Sequence, residues 1–139
     1  MKMEIEIVKE ILTEKLNSTS REALPDWELF DYEEFDIAFH LELLEEAELI
    51  VGGVEFDDDE NYEFTPYRFT VNGQGLACIL DNKKMYSSII KRIKKAAGVW
   101  TIKHLEKMAD SLLYFELDRA TPILGLSKSQ IAGRIHVSK

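Results

Sequence analysis

The chain has 139 residues, 45% hydrophobic and 10% aromatic, with a formal net charge of −9 at pH 7; it is long enough to bury its own core and too apolar for wholesale disorder. No run nears the roughly 18–20 apolar residues of a membrane span, and Met1–Glu6 lacks the basic-then-apolar pattern of a signal peptide, so none is expected. A single cysteine, Cys78, excludes an internal disulfide and fits a reducing, cytoplasmic compartment.

The charge is strongly polarised along the chain. Residues 1–67 hold 21 acids and 4 bases, a balance of −17, whereas residues 68–139 hold 5 acids and 13 bases, a balance of +8. Residues 4–17 carry Ile5, Val8, Leu12 and Leu16 at steps of three and four, with Ile7 and Ile11 widening the stripe, which predicts a helix ended at Asn17–Ser20. Pro25-Asp26 predicts a turn, followed at Trp27–Phe30 by a short strand or loop. Asp31 with Glu34 three residues later reads as an N-cap and capping box. It would open a helix whose Phe35, Ile37, Ala38, Leu41, Leu44 and Ala47 face a core.

Leu49–Val51 then reads as a strand, with Gly52-Gly53 as a turn. Val54–Phe56 and Tyr62–Phe64 read as hairpin arms around the acidic tip Asp57–Glu60. Pro66 is expected to interrupt pairing before a last short strand near Tyr67–Thr70. Thr70 reads as the N-cap of a helix running to about Leu80. In that helix the apolar run Leu76–Leu80 suggests a buried, structural Cys78. Residues 82–97 are expected to form a basic helix with Met85, Ile89 and Ile93 as its apolar line and Gly98 as its left-handed cap. A last helix is predicted from Thr101 to about Leu117, on Ile102, Leu105, Met108, Ala109, Leu112, Leu113 and Tyr114.

Helix, helix, hairpin, helix is the order of a winged helix. The expected fold is therefore α+β, mostly α: a winged helix-turn-helix with a β-hairpin wing and two added C-terminal helices. The domain would span 1–118, with 119–139 a tail that packs on the body or orders on binding. Through His40-Leu41, Leu44, Ala47 and Leu49-Ile50, the segment Asp36–Ile50 resembles the recognition helix of arsenic-repressor-type winged-helix proteins. Over about Tyr32–Leu117, the runs Phe35–Ile50, Arg68–Gly73 and Lys91–Leu117 resemble domain-of-unknown-function family 2513. That resemblance implies a small winged-helix-like protein of phages and prophages with no assigned activity.

Against the repressor pattern, the exposed positions of this helix carry Phe39, Glu42, Glu45 and Glu46 where bases or hydrogen-bonding residues are usual. Glu48 stands where a glycine commonly ends the helix. If its φ is positive, it costs about 1 kcal/mol relative to Gly. The spacing Asp57, Asp59, Asn61 opens like a calcium loop, but Tyr62 occupies the glycine position and Arg68 the bidentate-glutamate position. His40, His104 and His136 form no zinc pattern, and His40 reads as a packing and capping residue. No nucleophile elbow, phosphate loop or dinucleotide fingerprint is present, and no acid/base pair stands out. No enzymatic activity, metal or cofactor is expected.

The leading expectation is a non-enzymatic phage or mobile-element interaction protein. Asp36, Phe39, Glu42, Glu45, Glu46, Asp57, Asp58, Asp59 and Glu60 would contact a basic or nucleic-acid-binding protein, imitating a phosphate track to inhibit a restriction- or CRISPR-like complex. The alternative is a transcriptional regulator that binds DNA, as a dimer, through Lys83, Lys84, Lys91, Arg92, Lys94, Lys95, Lys103 and Lys107. A homodimer through the C-terminal helices is a further expectation, and no membrane association is expected.

Overall fold

The computed structural model describes residues 3–18, 31–96 and 100–124, the stretch 116–124 by backbone alone. The order is α1 (Ile5–Asn17), α2 (Glu34–Glu46), β1 (Ile50–Phe56), β2 (Tyr62–Phe69), α3 (Val71–Asp81), α4 (Lys83–Lys95) and α5 (Ile102–Leu124). The protein is α+β and mostly helical, a winged-helix-like arrangement whose wing is the antiparallel β1–β2 hairpin. Among the described residues no helix is long and apolar enough to cross a membrane. The predicted turn and short strand between Arg21 and Phe30, the Gly98 cap and the tail beyond Leu124 lie outside the described residues.

The chain divides into two compact units, Met1–Asn82 and Lys83–Lys139. In the first, α1 packs on α2 and α3, α2 on β1, and α3 on β2. Ile7, Val8, Ile11 and Leu12 of α1 are wholly buried, as are Ile37, Ala38, Leu41 and Leu44 of α2 and Leu49 beyond it. Tyr67 of β2 and Leu76, Ala77 and Leu80 of α3 are also buried. The Tyr67 hydroxyl donates to the Ile11 carbonyl of α1 at 3.0 Å, and burial pushes the phenol's pKa well up. The Lys15 ammonium lies 5.1 Å from the Tyr67 ring centroid, so a buried lysine stem ends over an aromatic face. In the second unit α4 packs on α5, with Ile89 and Ile93 buried on α4 and Ile102, Leu105 and Ala109 on α5.

Four sequence readings need correction here. Asp31 does not cap α2. The helix starts at Glu34, and Glu33 takes the cap position without a side-chain bond; Glu34 and Asp36 in the first turn favour the helix dipole instead. Gly52-Gly53 is not a turn, because β1 runs through it: the register slips between Gly52 and Val54, making a bulge with φ of 90° and 108°. Pro66 does not interrupt β2, since it sits beside that bulge, where a Cβ on Gly52 would collide with its carbonyl oxygen. Finally, α5 continues past Leu117 to Leu124, so residues 119–124 of the expected tail are helical, and Pro122 costs that last turn one i→i−4 hydrogen bond.

The start of β1 and the end of β2 are fastened to the helices at a shared junction. Thr70 caps α3 as predicted, its hydroxyl accepting the Gly73 N–H at 3.1 Å and donating to the Glu48 carbonyl at 2.7 Å. The Thr70 N–H donates to the Leu49 carbonyl at 3.0 Å. Gly73 lies against that carbonyl so closely that a Cβ would overlap it. Replacing Gly73 by Ala should therefore cost about 3 kcal/mol or more in urea unfolding. Gly75, whose Cβ would meet nothing within 4 Å in the same helix, should gain about 0.5–1 kcal/mol as Ala.

His40 ties α2 to the start of α1. Its Nε2 accepts the Glu4 N–H at 2.8 Å, while Nδ1 donates to the Asp36 carbonyl at 2.6 Å. Both bonds require the neutral ring with the proton on Nδ1, and burial lowers the pKa from its usual 6.5. The folded state thus binds the proton more weakly than the unfolded chain. The resulting stability is complete above about pH 6.5 and is lost as pH falls through the lowered folded value. His40→Gln should flatten this part of the stability–pH profile as pH falls below about 6.5. An unchanged difference between variant and parent across that fall would contradict it.

Candidate functional site

The helical repeat of about 100° per residue sorts α2 into faces. Ile37, Ala38, His40, Leu41 and Leu44 point to the core. Phe35, Phe39, Glu42 and Glu46 follow one another at steps of four, three and four on the opposite side, with Phe35 and Glu46 exposed and Phe39 and Glu42 half-buried. Phe35, expected in the core, is 41% exposed. The core stripe is centred near Ile37 and Leu41, about half a turn from Phe35. Phe39 rests edge-on to His40, with ring centroids 5.4 Å apart.

Glu45 lies on the flank and is already used. Its Oε2 accepts the Gly52 N–H at 2.6 Å, holding the bulge, while the Gly53 N–H donates to Thr65 Oγ1 at 2.9 Å. Asp36 is half-buried on the other flank. At the wing tip Asp57 shapes the loop, since its Oδ1 accepts the N–H groups of Asp59 and Asn61 at 2.9 and 3.0 Å. Asp57, Asp58, Asp59 and Glu60 are all exposed. Glu60 takes the left-handed conformation with φ 63°, and Glu48, as expected of the residue in the glycine position, has φ 60°.

Side-chain alternation gives the wing two unlike faces. Val54 and Phe64 are register partners on one face, and Phe56 and Tyr62 continue it. Between these pairs Glu55 stands directly opposite Glu63, both exposed on the other face. Two like charges at a cross-strand pair work against the hairpin. Phe35 of α2 joins the aromatic face, 6.3 Å from Phe56 and 5.8 Å from Tyr62 between ring centroids, and Tyr62 lies 5.5 Å from Phe64. The Tyr62 phenol is raised by desolvation and by the nearby Glu34 carboxylate. An open cleft of about 340 Å³ at this end is lined by Glu55, Phe56, Asp57, Asn61, Tyr62 and Glu63.

From Asp31 to Asn82 the chain has 15 acids and one base, Arg68. The structure thus lines up Phe35, Phe39, Glu42 and Glu46 on one helix face and exposes the tip acids on the wing; Glu45 and Asp57 also hold backbone in place. The aromatic group of Phe35, Phe56, Tyr62 and Phe64 was not read as a site in the sequence. Its signals were the position of Phe35 opposite the core stripe and the alternation of the two arms.

The basic residues belong to the second unit. Lys83, Lys84, Lys91, Arg92, Lys94 and Lys95 of α4 and Lys103 and Lys107 of α5 are all exposed. The unit boundary after Asn82 nearly coincides with the change in charge. Residues 1–82 carry 22 acids and 5 bases, or −17, and residues 83–139 carry 4 acids and 12 bases, or +8. Cys78 is exposed on α3 rather than buried, because it lies about 140° around the helix from Gly73 and away from Leu76, Ala77 and Leu80. His104 is exposed and caps α5: its Nδ1 accepts the Thr101 N–H at 3.1 Å.

A family model described as "Hypothetical protein (DUF2513)" matches residues 2–100. It reaches further toward the N-terminus than the expected span from Tyr32 and stops short of Leu117. No curated protein and no solved structure matches the chain.

The strain at Glu48 should be measurable apart from any partner. Glu48→Gly relieves the left-handed penalty but adds freedom to the unfolded chain, so stability should rise by about 0.5–1 kcal/mol. Glu48→Ala keeps the strain and should be nearly neutral in the same urea titration.

Proposed function

The chain belongs to the DUF2513 family, and on that footing we propose that its α2–wing face binds a basic protein surface and that the protein is not an enzyme. The observation that carries this reading is the stripe Phe35, Phe39, Glu42 and Glu46 on the outward side of α2, within a segment of 15 acids and one base. In a winged helix this side and the wing are the parts that approach a nucleic acid. Here phosphates would meet carboxylates, and like charge opposes approach. A basic protein would be steered toward the same surface, gaining mainly in association rate and in discrimination between partners.

The finer form of the proposal is imitation of a phosphate track. Glu42 and Glu46, with the carboxylates of Asp57, Asp58, Asp59 and Glu60, would occupy the nucleic-acid channel of a host enzyme or defence complex. Such a role fits a phage or mobile-element protein acting in the cytoplasm.

A second reading rests on a separate observation: α4 has six basic residues, no acidic one, and all six are exposed. It is DNA binding through α4 with Lys103 and Lys107 of α5, as a dimer.

One set of variants separates the two. Glu42→Lys with Glu46→Lys, which leaves the structural carboxylate of Glu45 in place, should slow association with a captured basic partner about tenfold or more at low salt. Its circular dichroism should match the parent. Undiminished capture by this variant would sink the acidic-face reading. Gel shifts with duplex DNA test the other: salt-sensitive retardation lost on neutralising Lys91, Arg92, Lys94 and Lys95 would favour DNA binding.

A further inference from the structure

Four aromatic side chains form one group at the junction of α2 and the wing. Phe35 meets Phe56 at an interplanar angle of 86° and Tyr62 at 61°, and Tyr62 meets Phe64 at 62°. None of the four is buried, and Phe35 is the most exposed, at 41%. Partly exposed aromatics grouped beside charged side chains have the composition of an interface anchor. The charged side chains here are anionic: Glu34 lies close enough to act on the Tyr62 phenol, and Asp57–Glu60 end the same hairpin.

We propose that this aromatic group is the anchor of the interface and seats an arginine side chain from a basic segment of the partner. The inference rests on the reading of the α2–wing face as a protein-binding surface, and it names the group that is recognised. Ring faces carry negative quadrupole charge, and carboxylates around them add to the attraction for a cation. A guanidinium is planar and weakly hydrated, so it stacks on a ring while its remaining N–H groups reach carboxylates in pairs. An ammonium is a compact, strongly hydrated charge and gains less from the rings. An uncharged apolar partner would have to strip water from the neighbouring acids without pairing them. A phosphate ligand is repelled outright.

The experiment uses the full chain and three short synthetic peptides of one length: an arginine peptide, its lysine counterpart of equal charge, and a glutamine counterpart. Binding is followed by calorimetry and by amide chemical shifts. The expected result is arginine over lysine by about fivefold, no binding of the glutamine peptide, and shifts centred on Phe35 and Tyr62. Phe35→Leu and Tyr62→Leu keep apolar bulk and should retain the parent's melting curve, yet lose the preference for arginine. Glu42→Gln with Glu46→Gln should weaken both cationic peptides alike.

Equal binding of the arginine and lysine peptides, unchanged in the leucine variants, overturns the anchor but leaves the basic-partner reading standing. Failure of both cationic peptides to bind overturns both. Self-association that blocks the peptides and is lost on neutralising Lys91, Arg92, Lys94 and Lys95 makes a second copy the occupant and overturns the arginine anchor.

Discussion

The close approach of α3 to the Leu49 carbonyl is the constraint on which the first unit depends. That oxygen accepts the Thr70 N–H, and Gly73 leaves no room beside it for a side chain. Glu48 takes a left-handed conformation one residue earlier, so the chain leaves α2 and enters β1 within a single turn. Helix exit, both strand ends and the start of α3 therefore meet within a few residues. Backbone sterics at this junction therefore help to set the direction of the wing relative to α2. A surface made from both elements inherits that definition.

A second fastening lies farther along the wing. Glu45 reaches the bulge at Gly52, and Thr65 reaches Gly53 from the other strand. The double glycine is what lets one strand bend without ending. One carboxylate of the acidic helix is thereby committed to architecture, and Asp57 is likewise committed to the tip. The array therefore divides into acids that shape the surface and acids, such as Glu42 and Glu46, that charge it.

Much of this architecture was legible in the sequence because its causes are local. Thr70 and Gly73 announce a capped helix start, Glu48 a strained exit, and the spacing of Ile37, Leu41 and Leu44 a buried stripe. Apart from the helix ends at Asp31 and Leu117, the readings that failed depended on neighbours distant in sequence or on treating a run as a face. Gly52-Gly53 looks like a turn until Pro66 and Thr65 are seen opposite it. Phe35 and Cys78 look buried by the company they keep in sequence, although helix geometry turns both away from the core. His40 could be marked as structural, but not that it would satisfy an N–H 36 residues earlier. The aromatic group needed the register of two strands and the first turn of a helix at once, which no single stretch contains.

The facing carboxylates of Glu55 and Glu63 carry one more consequence. Repulsion between exposed charges is relieved by electrolyte, over a screening length of about 8 Å at physiological ionic strength. Added electrolyte should therefore firm the hairpin in the unbound protein, while it would weaken the long-range pull on the cationic partner proposed above. The isolated wing would thus be most at ease where such a complex would be least favoured.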